Sequence, residues 1–392
     1  MYTMSGATFH ITPNKKKTIC FATMCKNEEH CIRDTLESVY KYIDTWVVHD
    51  TGSTDKTCQI VTEFFKEKNI PGELFCDEWK GFDINKTQLF NKCYGRSDYI
   101  LHCDADDIFV GNVNLNFHTN DDAYHMYTKR GNSTYKCILV WNNHLHWKFC
   151  GVAHTIVKCI DKPHGYSVNR ELVKDDVYLL SRDTGNRSTD PLKYFKDGER
   201  LQKQFFDTLY DDPDGLNNRS VFYAARSYYD ANEHELALKW FNLYLRLKNT
   251  WEEEQFQSHL QIADSLIQLK RDYTDINKHF DAAISIFPDR AEPLLSLAKY
   301  CNCNNKHEEA YQLLHKARSF NYSDIEKKYI LFTVKTSYGK YLLDELSVSC
   351  YWTNRFEEGK QHILNIIDDP DFKDHKDRFN DNLRHFDNKL LM

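Results

Sequence analysis

The chain has 392 residues, 41% hydrophobic, 28% charged and 14% aromatic, a balance that excludes a disordered or low-complexity protein and a length that calls for two domains. Lys and Arg total 51 against 58 Asp and Glu, a net charge of −7, so there is no bulk basic field to hold nucleic acid by its phosphates. No apolar run is long enough for a spanning helix, and residues 1–17 lack the apolar stretch of a signal peptide. The expectation is a soluble protein with an N-terminal extension over 1–17. Thirteen Cys, ten of them before residue 160 and none in a CxxC pair, read as reduced, mostly buried thiols of a cytoplasmic protein. The sequons Asn132-Ser133-Thr134 and Asn186-Arg187-Ser188 are then expected to carry no glycan.

The first half alternates two periods. Residues 18–23 form a short β-prone apolar run; 28–42 carry Ile32, Leu36 and Val39 at helical spacing. Residues 45–49 read as a second strand ending in Asp50-Thr51-Gly52-Ser53-Thr54-Asp55, and 57–68 as a helix with Ile60, Val61, Phe64 and Phe65 on one side. A short strand at 74–76, a helix at 87–94 and a buried strand at 99–103 follow, the last running into Asp104-Ala105-Asp106-Asp107. Strand and helix in alternation predict a mostly parallel, Rossmann-like sheet with crossover helices. From about 120 to 180 the pattern turns short and strand-like. Its cluster of Trp141, His144, His146 and Trp147 reads either as core or as a stacking surface for an acceptor.

From Asp190 onward the periodicity is helical and self-similar. Ala225 with Tyr228, Ala263 with Leu266, Ala298 with Cys301 and Ser347 with Cys350 repeat a small residue followed three later by a larger one. Each is followed by Ala237, Ile276, Ala310 or Gly359 in a second helical stretch. This resembles tetratricopeptide repeats with loop insertions, and an irregular helical bundle is the alternative.

The acidic motif is the sharpest chemical signal. Three carboxylates within four residues at the C-terminal end of a strand repel one another unless a cation neutralises them, and hard oxygen donors suit Mn²⁺ or Mg²⁺ beside substrate phosphates. An acidic turn alone is most often a solvated turn; here Asp50 and the segment Thr23-Met24-Cys25-Lys26-Asn27-Glu28-Glu29 end two further strands on the same sheet edge. Asp55 reads as a helix cap. A nucleotidyltransferase would also place carboxylates at strand ends, but the first loop lacks a glycine- and basic-rich phosphate cradle.

Those three segments, in this order and spacing, resemble glycosyltransferase family 2, the GT-A type of nucleotide-sugar transferase. Trp79 and Phe82 are similar to an aromatic pair of that family, while Asn85-Lys86 stands where it has Arg-Asn. Gly151-x2-His154 resembles its metal-closing segment, with Thr155 in place of Glu. Residues 181–194 and Trp251-Glu252-Glu253-Glu254 resemble the junction to a helical repeat domain. The resemblance implies a GT-A glycosyltransferase domain over 18–190 and a repeat domain over 191–392. It implies a UDP-sugar donor, with Asp50 on the uracil or ribose, Asp104 on the ribose or a metal-bound water, and Asp106, Asp107 and His154 at the Mn²⁺ or Mg²⁺ site. Thr23, Lys26, Glu28, Ala105, Arg182 and Arg187 complete the implied donor pocket, the two arginines having surface pairing with Asp183 or Asp190 as their alternative. Inversion by direct displacement demands a base; Asp121, Asp122 and Asp183 are available, and none of them, nor His144 or His146, stands in a diagnostic pattern. The acceptor is expected to be a hydroxyl of a protein or glycan, with homodimerisation through the repeats as a further role for the second half. A degenerate transferase domain serving as an interaction module is the competing reading. Richness in Asn, Lys and Tyr points to an AT-rich genome such as that of a large DNA virus, for which the compartment is the host cytoplasm.

Overall fold

The computed structural model describes residues 16–111, 120–131, 133–169 and 177–391; most of the expected N-terminal extension and the Asn132 sequon lie outside them. The strands are β1 (Ile19–Cys25), β2 (Thr45–Asp50), β3 (Gly72–Cys76), β4 (Tyr99–His102), β5 (Ile108–Val110), β6 (Ala123–Arg130), β7 (Ser133–Asn142), β8 (Trp147–Cys150), β9 (Ile156–Cys159), β10 (Val168–Asn169) and β11 (Tyr178–Leu180). Among the described residues, β3-β2-β1-β4-β7-β6-β11-β5 form one sheet, with β10 against β6, and β8–β9 form a separate pair. The first four strands in that order are parallel, and β7 meets β4 antiparallel.

The pleat explains why these strands read as continuous apolar runs: both faces are covered. Ile19, Phe21, Val48, Tyr99 and Leu101 point to one face, under α1 (Ile32–Val39) and α2 (Thr57–Glu67), whose Leu36, Val39, Phe64 and Phe65 pack there. Cys20, Ala22, Val47 and Ile100 point to the other, under Leu89, Phe90 and Cys93 of α3 (Phe82–Cys93). Trp141 and Trp147 belong to this second layer, 4% and 1% exposed, so they are core and not an acceptor platform.

Two helices differ from the sequence expectation at their starts. α1 begins four residues later than its periodicity predicts, because the N–H groups of Glu28 and Glu29 are taken by Thr57 Oγ1 (2.7 Å) and Asp55 Oδ2 (3.1 Å). α3 begins five residues earlier, because Asn85 Oδ1 accepts from the N–H groups of Lys80 (2.7 Å) and Gly81 (3.1 Å), closing a turn in which Gly81 holds φ +140°.

By contact the chain divides into two units: one comprises residues up to Thr128, Lys136–Cys150 and Thr155–Thr189, the other Lys129–Tyr135, Gly151–His154 and Asp190 onward. The second unit is built on α4 (Lys193–Asp207), α5 (Asn217–Asp230), α6 (His234–Tyr244), α7 (Glu252–Gln268), α8 (Tyr273–Ile286), α9 (Glu292–Cys303), α10 (His307–Ala317), α11 (Tyr322–Lys328), α12 (Tyr341–Trp352), α13 (Phe356–Leu364) and α14 (Lys376–Leu390). The pairs α5–α6, α7–α8, α9–α10 and α12–α13 are joined by one repeated turn. In each, a left-handed residue (Asn232, Lys270, Asn305, Asn354) is followed by an N–H that reaches back five residues: Glu233 to Tyr228 O, Arg271 to Leu266 O, Lys306 to Cys301 O, Arg355 to Cys350 O, at 2.8–2.9 Å. These are Schellman closures. Ala225, Ala263, Ala298 and Ser347 each sit seven residues before the left-handed position and are fully buried or nearly so. The longer third interval contains α11 and the segment after it. No helix among the described residues is long and apolar enough to cross a membrane.

Candidate functional site at the strand ends

Beyond the C-terminal ends of β1 and β2, two loops are sewn together by their own polar side chains. Asn27, at φ +56°, donates its N–H to Ser53 Oγ (2.8 Å) and accepts from Thr54 N at Oδ1 (2.7 Å); Glu29 Oε2 accepts from Lys56 N (2.9 Å). Asp50, 3% exposed, accepts the N–H groups of Gly52 (3.0 Å) and Ser53 (2.9 Å) at Oδ2 and the Ser53 hydroxyl at Oδ1. Much of what makes these two segments a pattern is therefore the mutual scaffolding of the loops.

The acidic motif at the end of β4 is differentiated residue by residue. Asp104, its side chain 64% exposed, pairs with Lys86 Nζ at 3.0 Å, and that ammonium holds its carboxyl at about 2. Ala105 is buried, its carbonyl accepting from Thr35 Oγ1 (2.7 Å). Asp106 accepts the Gly185 N–H at Oδ2 (2.8 Å), while its Oδ1 takes no hydrogen bond among the described residues. Asp107 is 6% exposed; burial, then the charges of Asp104 and Asp106, push its carboxyl up to about 7. Carboxylates so arranged repel one another, as the raised Asp107 carboxyl shows, and their oxygens are hard donors of the kind Mn²⁺ and Mg²⁺ take.

A strap over residues 181–187 fastens these groups. Arg182 donates Nε to Asp106 O (2.6 Å) and Nη1 to Asp34 Oδ2 (3.1 Å), and its backbone N–H points at Asp107 Oδ1 (3.3 Å). Its Nη2 is buried without a hydrogen-bond partner. Asn186 N donates to Glu28 Oε2 (3.0 Å), and His30 Nε2 meets Thr184 O (2.6 Å). Burial raises the Glu28 carboxyl above its ordinary value. Arg187 lies over the Phe82 ring at 5.1 Å, and Phe82 meets Trp79 edge-on at 4.7 Å. Gly185 allows a close approach: a Cβ there would lie 3.1 Å from Asp106 Oδ2, so the carboxylate would have to shift.

The structure thus brings together Glu28, Asp106, Asp107 and Arg182, and places Asp104 with Lys86. Thr23 is a strand bolt, its hydroxyl donating to Cys103 O (2.9 Å), and Lys26 is exposed beside Gly52. Asp183 is exposed on the strap. Asp121 and Asp122 are at the wrong end of the sheet. Tyr99 Oη donates to Asp121 O and Asn142 N to Asp122 O, and Tyr99 pairs with Asn142, so both flank the start of β4 while Asp104 follows its end. Asp122 is moreover clamped by Lys162 Nζ at 2.6 Å. His146 stacks on Tyr94 and pairs with Asp161 (3.0 Å). His154 belongs to the second unit, at φ +49°, its ring 4.2 Å from that of Tyr223 and its carbonyl accepting from Arg219 Nε (3.0 Å). Sequence reasoning missed Lys86, Asp34 and Gly185. A cation eighteen residues from its carboxylate leaves no local spacing to detect.

Against this geometry the comparisons can be set. The family model described as Glycosyl transferase family 2 matches residues 20–113, the stretch from β1 through the acidic motif. That segment is a glycosyl transferase family 2 domain. The match supports a glycosyltransferase. Similar solved structures include TarS 1–349 of S. aureus in complex with UDP-GlcNAc, at 13% identity and TM-score 0.38 over 65% of this chain and 93% of that one. Another is the mannosyltransferase PcManGT from Pyrobaculum calidifontis in complex with GDP-Man and Mn²⁺, at 13% identity and TM-score 0.38 over 71% and 90%. No curated protein matches the sequence.

Proposed function

We propose that the chain is a divalent-cation-dependent glycosyltransferase that moves a sugar from a UDP-sugar to a hydroxyl of a protein or glycan acceptor, with inversion. The observation that carries this is the under-neutralised set Asp104, Asp106 and Asp107 at the end of β4, inside the segment that matches the family model. The hard carboxylate oxygens suit Mn²⁺ or Mg²⁺ by chemistry: Asp106, through Oδ1, and Asp104 would hold the ion, with Asp107 beside them. A bound cation of that class offsets charge developing on the diphosphate as the sugar–phosphate bond breaks. Lys86 and Arg187 add positive charge on the Asp104 side, Gly185 N–H orients the Asp106 carboxylate, and Arg182 holds the Asp106 backbone through its carbonyl. Asp50 orders the turn after β2 and, on this reading, its carboxylate is the acceptor for the uracil or ribose. The helical hairpins resemble tetratricopeptide repeats and serve acceptor docking or homodimerisation, in a cytoplasmic setting.

Asp106→Ala is expected to lower transfer by about 10³-fold, ~4 kcal/mol in the barrier, and to abolish cation-dependent UDP binding without shifting thermal unfolding. A screen of nucleotide sugars for hydrolysis with and without Mn²⁺ checks the donor class. Undiminished turnover in the variant would remove the cation from the mechanism.

A further inference from the structure

The parallel register sets Cys25 opposite Asp50 and Asp50 opposite Cys76, so these three side chains leave neighbouring strands on one face of the sheet. Cys58, the second residue of α2, covers them. Cys25 Sγ is 3.8 Å from Asp50 Oδ1, and the ligating atoms of Asp50, Cys58 and Cys76 all lie within 4.8 Å of one another. Cys25 and Asp50 are buried, Cys58 is half-buried and Cys76 is exposed, which gives the cluster a floor and an opening. The Asp50 carboxylate is already oriented by Gly52 N, Ser53 N and Ser53 Oγ, the outer-shell support that ligating carboxylates receive in metal sites.

We propose that Cys25, Asp50, Cys58 and Cys76 form a second cation site, selective for a thiophilic divalent ion such as Zn²⁺ and distinct from the hard-oxygen set at Asp104–Asp107. Three sulfurs and one carboxylate oxygen match the tetrahedral donor sets of zinc, whereas Mg²⁺ and Mn²⁺ avoid thiolates. Zinc–sulfur bonds of about 2.3 Å put tetrahedral sulfurs about 3.8 Å apart, close to the spacing within 4.8 Å that the ligating atoms of Asp50, Cys58 and Cys76 keep, while Cys25 joins from the Asp50 side at 3.8 Å. Binding releases the thiol protons to solvent and forms metal–sulfur bonds, with no change of oxidation state. Because the ion engages Asp50, it withdraws that carboxylate from a donor nucleotide. This consequence rests on the proposed function; the binding itself does not.

The test is a Co²⁺ titration of the reduced, chelator-stripped full chain under exclusion of air. One equivalent should give a thiolate-to-cobalt charge-transfer band that Zn²⁺ displaces and excess Mg²⁺ does not. Cys58→Ser/Cys76→Ser should lose the band, and Cys76→Ser, at an exposed position that leaves the fold intact, should weaken it. Asp106→Ala should keep it. A band that survives the double variant, no band in the wild type, or loss of two free thiols without metal uptake would each overturn the site. Zn²⁺ that binds here yet leaves UDP affinity unchanged would overturn only the link to the donor.

Discussion

Charge is held away from water in both units, on opposite plans. In the helical unit Arg290, fully buried, makes a two-pronged pair with Glu292 (2.9 and 3.2 Å) and lies 4.3 Å from the Phe256 ring. Its remaining donors reach Leu331 O and Phe332 O, while Glu292 accepts from Val334 N and Tyr338 Oη. Each guanidinium nitrogen and both carboxylate oxygens have a partner within the fold. At the end of β4, three carboxylates are packed with Lys86 on one of them and burial forcing another toward its neutral form. A closed network of that kind organises the irregular segment after α11; an unclosed one stores repulsion for something that arrives later.

That contrast is breakable. Removing one partner of the closed pair leaves an orphaned buried charge, so Arg290→Ala should cost about 3–5 kcal/mol in denaturant unfolding. Removing the Asp107 charge, the one that burial and its neighbours disfavour, should do the reverse. Asp107→Asn is expected to raise the stability of the chelator-treated chain by about 1 kcal/mol while impairing transfer. Equal destabilisation by both would mean the acidic set is an ordinary structural network.

A milder probe of the cluster acts through shape. Gly185→Ala places a methyl 3.1 Å from Asp106 Oδ2 and must turn that carboxylate. About a tenfold loss in cation-dependent UDP affinity, ~1.4 kcal/mol, is expected with little change in unfolding.

How far the chain could be read in advance follows the same division. The strand and helix order was legible because Phe21, Val48, Leu101 and their helical covers obey simple periods. The acidic motif and Asp50 were legible because their neighbours in sequence are also their neighbours in space. The strap was not: Arg182 meets Asp34 across 148 positions and Asn186 meets Glu28 across 158. Asp121 and Asp122 looked eligible as bases because composition does not say at which end of an antiparallel strand a residue stands. In the second unit the repeat anchors were legible as small residues, but the turn that repeats with them is a backbone feature with weak side-chain demands.

Solution pH separates the units too. On α7 and α8 the Nδ1 atoms of His259 and His279 are 2.9 Å apart, and burial lowers both, His259 to about 4 from an ordinary 6.5. Neutral when folded and protonated when unfolded, the pair contributes stability above about pH 6.5 that is lost as pH falls toward 4. His259→Gln should flatten that part of the profile of the thermal midpoint; an unchanged slope would place the titration elsewhere.

The smallest effect tests whether the four hairpin turns are one device. Asn occupies the left-handed position in three, and Asn tolerates that conformation at little cost; Lys270, at φ +54°, has no such allowance. Lys270→Gly should therefore gain about 0.5–1 kcal/mol, and Asn305→Gly only a few tenths. If the closures at Arg271 and Lys306 are equivalent, the difference between these two gains isolates the backbone strain of lysine, since each turn returns the same hydrogen bond to the same position of the preceding helix. Equal gains would mean that the turns are held by their flanking helices and that the residue at the bend is indifferent.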